Sequence, residues 1–288
     1  MAKSYYYIVA GLPDFVLDEQ KQVVPFAEFM AEVKEQISAA DAELLSIVQR
    51  PADNRNLVRL LEKSGRAFDS DGNFTEDELS QAAKTYDGLP AYMQTFLDAR
   101  RDGRVLFEGR SADDALAWLF YDEAAQHANA FIAEWFLFDL RLRNVLAAIN
   151  CRGIARAQGA DAQALIGRAV IAADETADAL CKSTAPDFSL SGRLPWIETV
   201  LALEGKSLME REKRIDEMRA EVLEEMTRLS HFQIETVLAF AIRLGMANRW
   251  RRLDAQRGKE MLDRLLADLG KARQANVEDE VPSRTRAE

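Results

Sequence analysis

The sequence predicts an all-α protein, and two features of the chain support this prediction. Apolar residues recur at the three- and four-residue spacing of helices, whereas no alternation of apolar and polar residues is long enough to predict a strand. The seven prolines lie at the edges of the periodic segments, and between Ser111 and Gly159 there is no proline and only one glycine, Gly153. We therefore expect an elongated body of many helices in up to three helical subdomains.

Start and stop signals place three helices in the first part of the chain. Pro25 suits the first turn of "FAEFMAEVKEQI", because that turn does not require its backbone N–H. Asp41 can cap "AELLSIVQ", which we expect to end before Pro51, since proline disfavours helix in the preceding residue. The segment "DNRNLVRLLEKSG" then forms a separate short helix that ends near Gly65. The pattern of the N-terminal "YYYIVAG" is compatible with a helix or an extended segment.

Capping boxes mark the starts of the next helices. Thr75 with Glu78 forms such a box, and Ser111 with Asp114 resembles one. The region after Ser111 is helical over more than forty residues by its composition. We expect one break in it, at residues 126–129, because average helices are much shorter.

The last part of the chain follows a loop that contains Pro186, Gly192 and Pro195. The segments "SLMEREKRIDEMRAEVLEEMTRL" and "HFQIETVLAFAIRLGMANRW" are two successive helices or one long bent helix, and an amphipathic helix follows through "KEMLDRLLADLG". We divide the chain into an N-terminal helical subdomain (residues 1–110), a central long-helix subdomain (111–200), a C-terminal helical subdomain (201–270) and a disordered tail (271–288).

Composition and charge restrict the classes of function. The chain has 288 residues, 48% of them hydrophobic and 30% charged, which is typical of a soluble globular protein. The formal net charge of −11 and the lack of a basic cluster argue against nucleic-acid binding. The longest apolar region, residues 128–149, carries four charged residues, so we do not expect it to cross a bilayer. Cys151 and Cys181 are expected to be reduced thiols, which favours a cytoplasmic protein.

The segment "FDSDGNFTEDEL" resembles a calcium-binding loop but lacks two required residues. Counted from Asp69, Asp71 and Asn73 fit ligand positions three and five. Position six, which requires glycine, is Phe74, and position twelve, which requires a bidentate acid, is Ser80. We expect an acidic turn that caps the next helix rather than a calcium site.

Other motifs do not complete a reactive or metal-binding arrangement. The segment "EGKS" ends like a phosphate-binding loop, but Val200 stands where that loop requires glycine. His127 lies four residues after Glu123, and Glu235 lies four after His231, whereas a ferritin-like di-metal site requires a spacing of three. No third residue completes a Ser/His/Asp or Cys/His nucleophile arrangement. We therefore predict that the protein is not an enzyme and has no cofactor and no metal site.

The segment "FLFDLRLRN", residues 136–144, places four polar residues in a helix that is apolar nearly all round and is therefore expected to be central. Asp139 and Arg143 stand four apart with the acid first, the favourable order for a pair on one helix. We predict that they form a structural ion pair. Arg141 and Asn144 point elsewhere on the helix and are candidate contacts with neighbouring helices or a partner protein.

Six segments along the chain carry a resemblance to a known family. They are "YYYIVAGLPDF", "DNRNLVRLLEK", "NAFIAEWFLFDLRLRNVLAAINCR", "APDFSLSGRLPWIETVLAL", "MEREKRIDEMRAEVLEEM" and "HFQIETVLAFAIRLGMANRWRRLDAQRGKEMLDRLL". In this order they resemble an uncharacterised bacterial family encoded beside V-type ATPase/synthase subunits and regarded as the counterpart of the C-type subunit of archaeal-type ATPases (the d-type subunit in eukaryotes). The resemblance covers most of the chain up to about Leu269, and the family has no catalytic motif.

The resemblance implies a role as well as a fold. The C-type subunit is an all-helical, funnel-shaped body that seats the rotating shaft on the membrane proteolipid ring. The expected function is thus a non-catalytic central-stalk (rotor) subunit that transmits torque for proton or sodium transport. Its expected partners are the V-type ATPase shaft subunits and the proteolipid ring, which would hold it at the cytoplasmic side of the inner membrane. A soluble assembly or regulatory adaptor of the same complex and a metal-dependent helical enzyme are the alternatives.

Overall fold

The computed structural model describes residues 4–13 and 24–252, and within these residues it contains twelve α-helices and no strand. It is 69% helical, so the predicted all-α class is confirmed. The predicted helix through "KEMLDRLLADLG" and the tail (residues 271–288) lie outside the described residues. The helices are α1 (Tyr6–Ala10), α2 (Phe26–Gln36), α3 (Ala39–Glu62), α4 (Glu76–Thr85), α5 (Ala91–Arg101), α6 (Ala112–Ala125), α7 (Ala130–Gln158), α8 (Ala162–Ala169), α9 (Glu175–Lys182), α10 (Ile197–Leu201), α11 (Leu208–Thr227) and α12 (Ile234–Arg252).

Helix α3 differs from the prediction in two ways, at the expected break before Pro51 and at its N-cap. It continues through Pro51, where we expected one helix to end and another to follow. A proline inside a helix removes a backbone hydrogen bond and costs about 3 kcal/mol, and the packing of α3 against α4, α6 and α12 offsets this cost. The N-cap is Ser38 rather than Asp41, because the Asp41 backbone N–H donates to Ser38 Oγ at 3.2 Å.

Pro25 is the N-cap of α2 rather than a residue of its first turn, but several other predicted helix boundaries are confirmed. The long helical region breaks once, between α6 and α7, and Asn129 caps α7 by accepting the Ile132 N–H at 3.0 Å. Thr75 and Glu78 form the expected capping box at the start of α4. The segments "SLMEREKRIDEMRAEVLEEMTRL" and "HFQIETVLAFAIRLGMANRW" form two separate helices, α11 and α12, and "YYIVA" forms α1.

The buried side chains form one hydrophobic cluster that includes residues from each of the three predicted helical subdomains. Helix α7 is central to it, since it contacts α6, α8 and α9 and buries residues along nearly its whole length. The division into subdomains stays a prediction. Among the residues described, no helix has both the length and the apolar character that crossing a bilayer requires.

The C-terminal end of α3 generates a test of the backbone geometry. Lys63 ends this helix at φ 50°, in the left-handed region. This conformation is unfavourable for a residue with a Cβ but not for glycine. Its side chain is exposed. We predict that Lys63→Gly raises the free energy of unfolding, measured by urea denaturation, by about 0.5–1 kcal/mol.

The matched control is the same change inside a helix. Lys84 lies in the last turn of α4, where glycine should lower the free energy of unfolding by about 0.5–1 kcal/mol. Effects of the same sign at the two positions would contradict the left-handed end of α3.

Candidate functional site

Asp139, the acid of the predicted ion pair, makes its hydrogen bonds to two other helices. Its Oδ1 accepts from Arg219 Nη2 of α11 at 2.9 Å, and its Oδ2 accepts from the Tyr121 hydroxyl of α6 at 2.6 Å. Arg143 Nη2 instead donates to Asp114 Oδ1, in the first turn of α6, at 2.7 Å. The predicted pairing was therefore wrong, because each charge has a partner on a facing helix rather than on its own.

Asp216 of α11 lies close to Asp139 and is buried, with only 1% of its surface exposed. It accepts hydrogen bonds from Arg219 Nη1 at 3.2 Å, Arg249 Nη2 at 2.6 Å and Trp250 Nε1 at 2.8 Å. Burial by itself lowers the pKa of Arg219, but the two carboxylates more than offset this and raise it above its ordinary value. The guanidinium therefore stays charged and bridges α7 to α11.

We call the six side chains joined in this way the buried charge network. It consists of Tyr121, Asp139, Asp216, Arg219, Arg249 and Trp250. The network connects four helices, α6, α7, α11 and α12. Sequence analysis missed its α11 members, although a signal was present. Asp216 stands beside Ile215 and Met218 on the buried stripe of α11, and a carboxylate at such a position indicates a buried partner.

Asn144, a candidate partner contact, lies in the interior instead. Only 1% of its surface is exposed, and its Oδ1 accepts the Ile171 backbone N–H at 3.1 Å. The prediction that Asn144 contacts a partner was therefore wrong. The side chain satisfies a buried backbone donor in the segment after α8, which an apolar residue could not do.

Arg141, the other candidate contact, is half-buried beside the start of α9. Its Nε lies 3.6 Å from Asp174 Oδ2, and Asp174 Oδ1 caps α9 by accepting the Ala177 N–H at 2.8 Å. A direct role of Arg141 at a partner surface stays a prediction.

The calcium-like loop is held to the protein by arginines and by α3. Asp69 Oδ2 lies 2.7 Å from Arg55 Nη2, and its Oδ1 lies 3.5 Å from Arg252 Nη1. Arg252 also forms an ion pair with Asp71. The loop ends in the Thr75 capping box, as predicted. No group of His, Cys, Asp or Glu within residues 4–13 and 24–252 is arranged to hold a metal ion.

Asp53 of α3 is fully buried under this loop. It accepts the Asn73 backbone N–H and the Asn73 Nδ2 amide, each at 2.7 Å, and the Phe74 N–H at 3.4 Å. Burial outweighs these donors and raises the pKa of Asp53 to about 6. Gly72 permits this close approach, because a Cβ there would lie 2.3 Å from Asp53 Oδ1.

His127, Glu123 and the last residue of "EGKS" make structural contacts. His127 Nδ1 accepts the Asn129 backbone N–H at 3.0 Å, and Glu123 forms an ion pair with Arg50 at 3.0 Å. Ser207, the last residue of "EGKS", caps α11 in a capping box with Glu210.

A cleft of about 500 Å³ opens where α3, α7, α11 and α12 meet. Its lining includes four members of the buried charge network, namely Asp139, Asp216, Arg219 and Arg249, together with Arg55, Arg252, Asp69 and Asp71. Apolar side chains, including Trp135, complete the lining. We refer to this feature as the cleft.

A second surface feature lies where α1 meets the turn between α11 and α12. Tyr7 is 90% and Leu229 83% exposed, and Tyr6 and Phe232 are also exposed. The rings of Tyr6 and Phe232 lie 4.8 Å apart, and those of Tyr6 and Tyr7 lie 5.8 Å apart. We call these four residues the exposed patch. The Tyr5 backbone N–H anchors it by donating to the Phe232 carbonyl at 2.7 Å.

The accessible side of α11 that leads to the exposed patch is acidic. Between residues 214 and 228 it carries four glutamates and three arginines that are not fully buried: Glu217, Glu221, Glu224, Glu225, Arg214, Arg219 and Arg228. Of these arginines, Arg219 is paired with Asp139 and Asp216. This acidic flank is consistent with the net charge of the chain, −11.

The buried charge network generates a stability test at Asp216. We predict that Asp216→Ala lowers the free energy of unfolding by about 3–5 kcal/mol, because it removes one of the two acceptors of Arg219 and of Arg249 and the acceptor of the Trp250 indole N–H. The matched control, Asp178→Ala, removes an exposed pair with Lys182 and should leave stability nearly unchanged. Equal losses in the two variants, measured by urea denaturation, would contradict the network.

The pKa of Asp53 generates a pH-dependent test. Its pKa rises from 3.8 to about 6 on folding, so the folded protein binds this proton more tightly than the unfolded chain. Its contribution to stability is therefore greatest below pH 3.8 and falls as pH rises towards 6. Since Asp53→Asn cannot titrate, we predict that its free energy of unfolding relative to wild type increases by on the order of 2 kcal/mol between pH 4 and pH 7. A difference that is constant or decreases over this range would contradict the prediction.

Comparison with known proteins identifies one family. The model of a family of proteins of unknown function (DUF2764) matches residues 1–272, which include every helix described above. Neither the search of curated proteins nor the search of solved structures gave a match. The family description states no activity, so it does not test the role that the sequence resemblance implies. The chain belongs to the DUF2764 family of proteins of unknown function.

Proposed function

We propose that the protein is a non-catalytic central-stalk (rotor) subunit of a bacterial V-type ATPase/ATP synthase. In this role it seats the rotating shaft on the membrane proteolipid ring and transmits torque for proton or sodium transport. The resemblance of six ordered segments to proteins encoded beside V-type ATPase subunits suggests the complex. The exposed patch is the observation in the structure that carries the proposal, because a rotor subunit functions by binding its neighbours.

The composition of the exposed patch supports a protein-binding role. Contiguous apolar side chains on a protein surface indicate interaction sites, and tyrosine is among the residues that contribute most to binding at such sites. Tyr7 and Leu229 are almost fully exposed, although their side chains are largely apolar and are of types often buried in a core. The acidic flank of α11 beside them favours a rotor partner that presents basic side chains.

The attachment of the exposed patch to the helical body supports a load-bearing role. Tyr5, next to the patch, connects α1 to α3, since its hydroxyl donates to Asp41 and accepts the Ser38 N–H at 3.1 Å. Its backbone N–H connects α1 to the turn before α12. A force applied at the patch is therefore passed to two long helices.

The buried charge network supports the same role in the interior. Torque transmission requires that neighbouring helices do not slide past each other. The bonds of Arg219 to Asp139 and Asp216 fix α7 against α11, and those of Arg249 fix α12 against α11. In this proposal the protein is held at the inner membrane only through its partner subunits.

Co-purification from native membranes tests the proposal. We predict that tagged wild-type protein retains the other rotor subunits at a fixed stoichiometry, and that the double variant Tyr7→Ser/Phe232→Ser retains at least about tenfold less. The matched control is Val105→Ser, which removes an apolar side chain of similar exposure (77%) outside the exposed patch and should co-purify like wild type.

Three outcomes would contradict the proposal. The absence of rotor subunits from the wild-type preparation would exclude a V-type complex. Strongly sub-stoichiometric amounts of the protein in the purified complex would exclude a permanent subunit and favour the assembly or regulatory adaptor. Equal recovery with the double variant would show that the exposed patch is not the contact.

A further inference from the structure

We propose that the cleft binds a small organic anion, in which a carboxylate or phosphate group is attached to an apolar body. The cleft and the exposed patch are separate features of the surface. The inference about the cleft therefore does not depend on the proposed function.

The size and lining of the cleft fit a small molecule. Its volume of about 500 Å³ lies within the range of about 300–1,000 Å³ that is usual for small-molecule sites. Phe26 of α2, Trp135 of α7 and Met246 of α12 line it with apolar surface. An apolar body placed here would exchange water for contacts with these side chains.

The cleft contains as many carboxylates as guanidiniums, but in three of its ion pairs the arginine is the more exposed partner. The side chains of Arg55 and Arg252 are 50% and 47% exposed, whereas those of Asp69 and Asp71 are only 14% and 18% exposed. The carboxylates therefore lie behind the guanidiniums. The pair of Arg249 with Asp216 has the same arrangement, with the arginine outside and the carboxylate buried.

These arginines retain hydrogen-bond donors for a ligand. A guanidinium has five N–H groups in a planar fork that matches a carboxylate or a phosphate. Within the described part of the chain, Arg55 directs only Nη2 at a carboxylate, and Arg252 directs its two terminal nitrogens at Asp69 and Asp71. Because the protein as a whole carries a net charge of −11, a cleft that presents guanidiniums is a local feature that favours anions.

Gly245 of α12 offers a way to fill the cleft without altering its charges. It lines the cleft, and a Cβ added there would meet nothing closer than the Phe26 ring, at 3.6 Å. Gly153 of α7 is the matched control, since it also lies inside a helix, and a Cβ there meets nothing within 4 Å. Both Gly→Leu changes favour helix formation, but only Gly245→Leu places its side chain in the cleft.

A ligand-observed NMR titration tests the inference with three probes: 3-phenylpropionate, phenyl phosphate and the neutral 3-phenylpropanol. We expect at least one anion to bind wild-type protein with a dissociation constant about tenfold or more below that of the alcohol. Binding of only the carboxylate or only the phosphate would support the inference and identify the head group. Gly245→Leu should abolish binding, and Gly153→Leu should bind like wild type.

A second variant tests the charged side of the cleft. Arg252→Gln changes an exposed side chain at the end of α12 and should raise the dissociation constant of the bound anion about tenfold. If circular dichroism shows that Gly245→Leu does not fold, the Arg252→Gln variant alone tests whether the anion binds in the cleft.

Three results would overturn the inference. They are failure of both anions to bind wild-type protein, equal binding of the alcohol, and unchanged anion binding in folded Gly245→Leu or in Arg252→Gln. None of these results bears on co-purification with rotor subunits, so the inference and the proposed function can fail separately.

Discussion

Two carboxylates, those of the half-buried Asp139 and the buried Asp216, share the single guanidinium of Arg219. Asp216 could not be buried without a partner, since an unpaired charge in the interior costs several kcal/mol. The bond between Arg219 and Asp139 therefore fixes how α11 lies relative to α7. Helix α12 is held in the same way, because Asp216 also requires Arg249 and Trp250 as donors.

The position of α12 determines both surface features of the protein. At its C-terminal end, Arg252 reaches the loop after α3 and completes the charged side of the cleft. Before its N-terminal end, Phe232 accepts the Tyr5 N–H and contacts Tyr6, which places α1 and the exposed patch. A buried electrostatic constraint thus links a cleft suited to a small anion with a surface suited to a protein partner.

The features that could be predicted from the sequence depend on residues that are close together along the chain. The Thr75 capping box and the break before α7 follow from local patterns, as does the central, apolar character of α7. The partner of Asp139 could not be predicted, because Arg219 lies 80 residues away and no local pattern states which helices face each other. Whether Asn144 contacts a neighbouring helix or a partner protein could not be decided for the same reason. The helix through Pro51 depends on packing that outweighs a local preference.

Hydrogen exchange measured by mass spectrometry on Arg219→Met tests the central role of the buried charge network most directly. Arg214→Met is the control, since Arg214 lies on the same helix but pairs with Glu217 and Glu221 at the surface. The account predicts that α11, α12 and the part of α7 around Asp139 exchange at least about tenfold faster in Arg219→Met alone, while α4 and α5 keep their protection. Unchanged protection in Arg219→Met, or the same change in both variants, would contradict it.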